Sequence, residues 1–166
     1  MEFVVYTALL GLILVFLFNF LLGIIGHQGK GKIREAVISN TTHVANTIDY
    51  EIRRAHQIYD STSQFDVASG QLSLDTRNSV PNGESSTYVD IYLNSENQVC
   101  IRRESDGVVC LTTDNVNVTQ LQFKKITLSD SSESGIQTNL TVEYNTNDPD
   151  QKLPMNIQTF TRLRNE

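Results

Sequence analysis

Hydrophobic and polar positions divide the 166-residue chain into three stretches of different period. From Phe3 to Ile25 no residue is charged, and the run FVVYTALLGLILVFLFNFLLGII is apolar on every side. At about 1.5 Å per residue such a run makes roughly 34 Å of helix, against a hydrocarbon core of about 30 Å. It predicts one membrane crossing. A secretory signal peptide fits less well, because its apolar region is usually only about 7 to 15 residues, follows a basic stretch and ends at a small-residue cleavage site. Here the run opens with Glu2 and leads into GIIGHQGKGK. Asn19 is the one strongly polar side chain within it, a type expected to make a helix-packing contact.

Gly23, Gly26, Gly29 and Gly31 come next, each costing about 1 kcal/mol relative to Ala in a helix. They predict a hinge. Beyond them Ile33, Val37, Val44, Ile48, Ile52, Ala55 and Ile58 recur at helical spacing, with Arg34, Glu35, Asn40, Asp49, Glu51, Arg53 and Arg54 between them. This is the second stretch, an amphipathic helix whose apolar stripe must pack on something C-terminal to it. The Arg53-Arg54 pair reads as a solvated face near the helix end, favoured by the helix dipole.

From Gln64 onward the period falls to two: QLSLD at 71–75, TYVDIYLN at 87–94, VCIRR at 99–103, GVVCLT at 107–112, VNVTQLQFKKITL at 116–128, GIQTNLTVEYN at 135–145 and MNIQTFTRL at 155–163. Alternating segments separated by turn residues predict antiparallel strands with one solvated face. Pro81-Asn82-Gly83, Ser105-Asp106-Gly107 and Asn147-Asp148-Pro149 mark connections, and Ser129 to Gly135 is a polar loop. The apolar phase slips between Val118 and Leu121, which predicts a bulge. The fold class is therefore α+β: a membrane-spanning helix over 1–26, its amphipathic continuation over 27–59, and a β-rich head over 60–166 whose sheet covers the stripe.

Two cysteines, Cys100 and Cys110, flank the Ser105-Asp106-Gly107 turn. A three-residue loop with Gly at the left-handed position sets Glu104 against Val108 and Ile101 against Leu111, leaving the cysteines diagonal on one face. A disulfide needs a register that puts them opposite, and an exported domain favours one. Two free thiols are the alternative.

Composition narrows the function. The chain is 39% hydrophobic and 19% charged, with no Trp and a formal net charge of −6. A polar acidic remainder behind an apolar end excludes a fully soluble single domain, and the shortage of clustered Lys and Arg excludes a nucleic-acid groove. His27, His43 and His56 are scattered outside any metal or nucleophile pattern, and no phosphate loop stands in a strand-to-helix context. The sequons at Asn40, Asn117 and Asn139 are expected by chance in an Asn- and Thr-rich chain. No enzyme chemistry, metal or cofactor is expected.

The start EFVVYTALLGLILVFLFNFL resembles the N-terminal helix of type IV pilins and type II secretion pseudopilins. Their mature chains begin with an aromatic residue, carry a Glu at the fifth position within an apolar helix, and continue as a two-part helix packed on an antiparallel sheet. Glu2 matches that Glu, and Phe3, Val4, Val5 and Tyr6 match the apolar run behind it. The stretch RRESDGVVCLTTDNVNVTQLQF is similar to the sheet region of minor pilin-like proteins. The family's basic leader, its Gly before the cleavage point and its first mature residues do not stand before Glu2, where Met1 is found. The resemblance then implies a start internal to a longer gene product, a processed remnant, or a pilin-derived anchor that is never matured.

It also implies a function: a structural subunit, of the minor kind, in a bacterial type IV pilus or pseudopilus-like filament. Its partners would be other pilin or pseudopilin subunits, the lipid bilayer and the assembly machinery. Glu2 would pair with a neighbouring subunit's N-terminal amine, Phe3 and Tyr6 would lie in the filament core, and the glycines would let the helix melt locally as it packs. Lys30, Lys32 and Arg34 follow the span and by charge alone would hold the C-terminal part inside; a basic leader would reverse that. The location expected is a single-pass cell-membrane protein with an exported head, passing into an extracellular filament. The alternative is a non-polymerising, membrane-anchored surface domain that binds a partner.

Overall fold

The computed structural model describes residues 2–78, 80–104, 106–127 and 134–163, apart from the side chains of residues 2, 24–29 and 134. The chain separates into two compact units, Met1–Glu35 and Ala36–Glu166. The first helix, α1, is assigned over Glu2–Arg54 and so supplies residues to both.

In the second unit α1 closes at Arg54, earlier than the 59 suggested by the helical spacing. The Ala55 N–H still donates to the Glu51 carbonyl at 3.0 Å, but the His56 N–H donates to Asp75 O at 2.8 Å and draws the backbone away. Gln57–Ile58 then form a two-residue strand, β1, that pairs with β2 (Gln71–Thr76). Ala55 is buried and Ile58 packs on the core, which is why the spacing seemed to run on past the helix end.

The expected single sheet is two. Strands β1 to β5 form one antiparallel sheet in chain order, with β3 at Thr87–Leu93, β4 at Val99–Arg103 and β5 at Gly107–Cys110. Strands β6 (Val116–Thr127), β7 (Ser134–Tyr144) and β8 (Met155–Arg162) form the other. β6 does not continue the first sheet because its free edge is taken by the chain before β2. Gly70 N–H donates to Leu121 O at 2.7 Å, Leu121 N–H to Ala68 O at 2.8 Å, and Asp66 N–H to Phe123 O at 2.9 Å. The predicted bulge falls between Val118 and Gln120, and it returns Leu121 and Phe123 to the inward face that Val116 and Val118 already occupy.

One core joins these parts. Val37, Val44, Ile48, Ile52 and Ala55 of the helical stripe meet Leu72, Leu74, Val89, Ile91, Val99 and Ile101 of the first sheet. Leu121, Phe123, Ile136, Leu140 and Val142 close it from the second. Burying each of these Val, Leu, Ile and Phe side chains contributes about 1.5–3 kcal/mol. Polar contacts fix the helix against both sheets: Glu51 accepts from Arg103 of β4 at 2.5 Å, and Asp49 accepts from the Thr161 hydroxyl of β8 at 2.6 Å. Asn40 accepts from the Thr113 N–H at 2.9 Å. Arg53 pairs with Asp49 at 2.7 Å and Arg54 lies over the Tyr50 ring, so this basic pair is a solvated helix end.

The β4–β5 hairpin corrects the expected register. Arg103 pairs with Gly107 and Ile101 with Val109, which sets Cys100 directly opposite Cys110. Gly107 does take the left-handed conformation, at φ 86°. The N–H of Asp106 donates to Arg103 O at 3.2 Å, so the turn closes one residue earlier than expected; Ser105 within it lies outside the described residues. Leu111 N–H donates to Val99 O at 2.8 Å, which makes the cysteines a non-hydrogen-bonded pair, the closer of the two pair types in an antiparallel ladder. They are joined as a disulfide, with Cα atoms 3.9 Å apart.

Candidate functional site

Two places in the chain could carry function, one in each compact unit. In the first, Phe3–Gly23 is the one segment among the described residues long and apolar enough to cross a membrane as a helix. Its large side chains are exposed all round, from 50% at Ile13 to 80% at Phe3. The Thr7 hydroxyl donates to Val4 O at 2.9 Å and the Asn19 amide to Val15 O at 3.0 Å, so each makes a hydrogen bond back to the helix's own backbone.

Phe3 and Tyr6 belong to this exposed surface. The side chains of Glu2 and His27 lie outside the described residues. All four hinge glycines lie in α1. A Cβ added at Gly23 or Gly31 would meet nothing, so those two glycines serve no close packing within the chain, and what they change is the helix's own stability.

The second place is on the outer face of the five-stranded sheet. The TYVDIYL alternation of β3 turns Val89 and Ile91 inward and leaves Tyr88, Asp90 and Tyr92 on the other face. The chain after β1 continues along the β2 edge, with Tyr59 N–H donating to Ser73 O at 2.9 Å, and the Tyr59 ring lies 5.0 Å from the Tyr88 ring, centroid to centroid. Tyr59, Tyr88, Asp90, Arg102 and Glu104 line a cleft of about 480 Å³, within the usual size of a small-ligand site. Asp90 accepts from Arg102 at 2.5 Å and from the Ser73 hydroxyl at 2.6 Å. Glu104 accepts from the Tyr88 N–H at 3.2 Å.

Asp75 stands opposite Tyr88 in the β2–β3 ladder and is only 7% exposed. One of its oxygens accepts from the Gln57 amide at 2.9 Å; the other has no hydrogen-bond partner among the described residues. Partial burial, the neighbouring Tyr59 and the carboxylates of Asp75 and Glu104 all push the Tyr88 phenol up from its ordinary value. The cleft is thus an aromatic site with balanced charge, lined by Asp90 and Glu104 and by Arg102 and Arg103. Its residues come from three separate stretches of sequence, and the only early sign of it was the polar and aromatic outer register of β3.

The remaining candidates dissolve into structure. The sequon amides donate within the fold: Asn40 to Ala36 O at 2.8 Å, Asn117 to Asn145 at 3.0 Å and Asn139 to Gln122 at 3.1 Å. The exposed His56 contacts Arg77 at 3.0 Å. Among the described residues no group of three or more His, Cys, Asp or Glu side chains is placed to hold a metal ion. Compared with known proteins, the chain matches no family model, no curated protein and no solved structure.

Proposed function

We propose that the chain is a structural subunit of a type IV pilus or pseudopilus-like filament, of the minor kind, held in the membrane by Phe3–Gly23 before it assembles. The observation that carries this reading is the exposure of large apolar side chains around the whole circumference of that segment. Such a surface must be covered by lipid or by like helices, and a filament subunit uses both covers in turn. The antiparallel head packed on the second half of α1 agrees with the same reading.

In this role Glu2 pairs with the N-terminal amine of a neighbouring subunit, since a lone charge in hydrocarbon costs about 2.5–3.5 kcal/mol or more. Glu2→Ala should leave membrane insertion intact and lower co-assembly with a major pilin about tenfold or more, read by immunoblot of sheared filaments, because the partner amine is left unpaired. Unchanged incorporation would overturn the pairing. A second reading, an anchored surface domain that binds a partner without polymerising, is favoured by the cleft of Tyr59 and Tyr88.

A further inference from the structure

The charged groups that line the cleft are each anchored by one edge. Asp90 accepts from Arg102 at 2.5 Å through Oδ2 and from the Ser73 hydroxyl at 2.6 Å through Oδ1. Arg103 donates to Glu51 at 2.5 Å through one terminal nitrogen, and Glu104 accepts from the Tyr88 N–H at 3.2 Å through Oε2. Among the described residues, Nη1 of both arginines and Oε1 of Glu104 make no hydrogen bond. The lining therefore presents fixed planar donors and a fixed acceptor whose charges cancel, two against two. An ion gains little from such a surface. A neutral ligand that donates and accepts at neighbouring atoms gains hydrogen bonds to charged groups without giving up the hydration of a charge of its own.

The remaining wall is aromatic and hydroxyl. The rings of Tyr59 and Tyr88 are tilted 56° to one another, and Thr62 lines the cleft beside them. Tyr59 and Thr62 stand on a turn that is tied down twice. The Ser63 hydroxyl donates to Tyr59 O at 2.8 Å and accepts from the Ser73 N–H at 3.0 Å, and Asp60 accepts from Lys125 of β6 at 2.6 Å. The site is thus formed before any ligand arrives, which lowers the ordering cost of binding. Aromatic rings next to anchored hydrogen-bonding groups suit a molecule with an apolar face and a hydroxylated rim. A pyranose has both, C–H bonds on its face and vicinal hydroxyls around its edge, each of them donor and acceptor.

We propose that the cleft binds a neutral carbohydrate of one or two pyranose rings: the C–H face of one ring lies against Tyr59 and Tyr88, one hydroxyl donates to Glu104 Oε1, and its neighbours accept from Arg102. The tyrosines supply the contact that requires a stiff ring, and Glu104 and Arg102 fix its orientation. This does not rest on the filament reading, since it concerns single heads and needs no polymer.

The test uses the full chain in micelles of a detergent without a sugar headgroup, titrated with cellobiose, lactose, maltose and chitobiose. Sorbitol, capped triglycine, lysine and inorganic phosphate are the comparison ligands. Saturation-transfer NMR reads which ligand protons approach the protein, with empty micelles as background. At least one of the four disaccharides should bind with a Kd of about 1 mM or tighter, and its saturation should be strongest at the C–H protons of one ring face. Sorbitol carries hydroxyls without a stiff apolar face and should bind about tenfold more weakly, as should the other comparison ligands. Tyr88→Ala should weaken the disaccharide about tenfold, whereas Tyr88→Phe keeps the ring and should hold affinity within about threefold. Glu104→Gln keeps an acceptor for the Tyr88 N–H but loses the charge, and should weaken binding about fivefold with an unchanged melting temperature. No binding of any disaccharide up to about 20 mM overturns the proposal. So does undiminished affinity in either Tyr88→Ala or Glu104→Gln, or sorbitol as tight as the best disaccharide. Lysine or phosphate binding more tightly assigns the cleft to an ion, triglycine binding more tightly assigns it to a polypeptide, and either overturns the carbohydrate.

Discussion

A glycine shows how tightly the head is assembled. At Gly70 an added Cβ would stand 3.1 Å from both Gln64 O and Leu121 O, and 3.2 Å from the Phe123 ring. Two of these neighbours are backbone, one of them part of β6, and neither can step aside without disturbing the contact that seals the β6 edge. Gly70→Ala should therefore destabilise the head by about 1–3 kcal/mol, whereas Gly83→Ala meets open space and strains only its own left-handed backbone. Denaturant unfolding of both variants checks this, and an unperturbed Gly70→Ala would show that the 66–70 segment yields easily. Single positions were legible in the sequence where a pattern had to break, as at the bulge after Val118. They were hidden where contact was long-range: nothing near Gly70 announces that a strand fifty positions away lies against it.

Whole elements were read more easily than their ends. The long strands follow from alternation, because each has one face on the core. β1 escaped notice since two residues are too few to show a period, and the helix end at Arg54 was masked by apolar side chains that continue into β1. Turn chemistry alone does not choose the hairpin register, because either register leaves Gly107 able to take its left-handed turn. The clamp of α1 on both sheets has a pH signature. The Arg53 guanidinium beside Asp49 holds its carboxyl below the ordinary value, with a further lowering from the Thr161 hydroxyl outweighing no more than part of the burial that acts the other way. A folded-state value below the unfolded one means stabilisation that is present above about pH 4 and is lost as the pH falls through the lowered value. The pair is largely solvated, so the contribution is small. Asp49→Asn should melt lower than the parent at neutral pH and match it near pH 2; a gap independent of pH would mean that the Thr161 contact, not the charge, ties β8 to the helix.

At the scale of the molecule, the division of labour is set by where apolar side chains find cover. The buried core of the head begins at Val37 and draws on no residue of the Phe3–Gly23 segment, so the stability of the head and the affinity of the segment for lipid are separate quantities. About fifteen apolar positions at roughly −0.3 to −0.6 kcal/mol each give the segment about −6 kcal/mol for insertion. One arginine near its centre, at about +2.5 to +3.5 kcal/mol, leaves insertion favourable, and two bring it close to balance. Phe16→Arg alone should thus remain in the carbonate-resistant membrane fraction, while Leu12→Arg with Phe16→Arg should lose most of it, and the head of either variant should unfold at the same denaturant concentration as the parent. If the doubly charged segment still partitions fully into the bilayer, lipid is not what covers those side chains before assembly, and like helices or another protein must already do so.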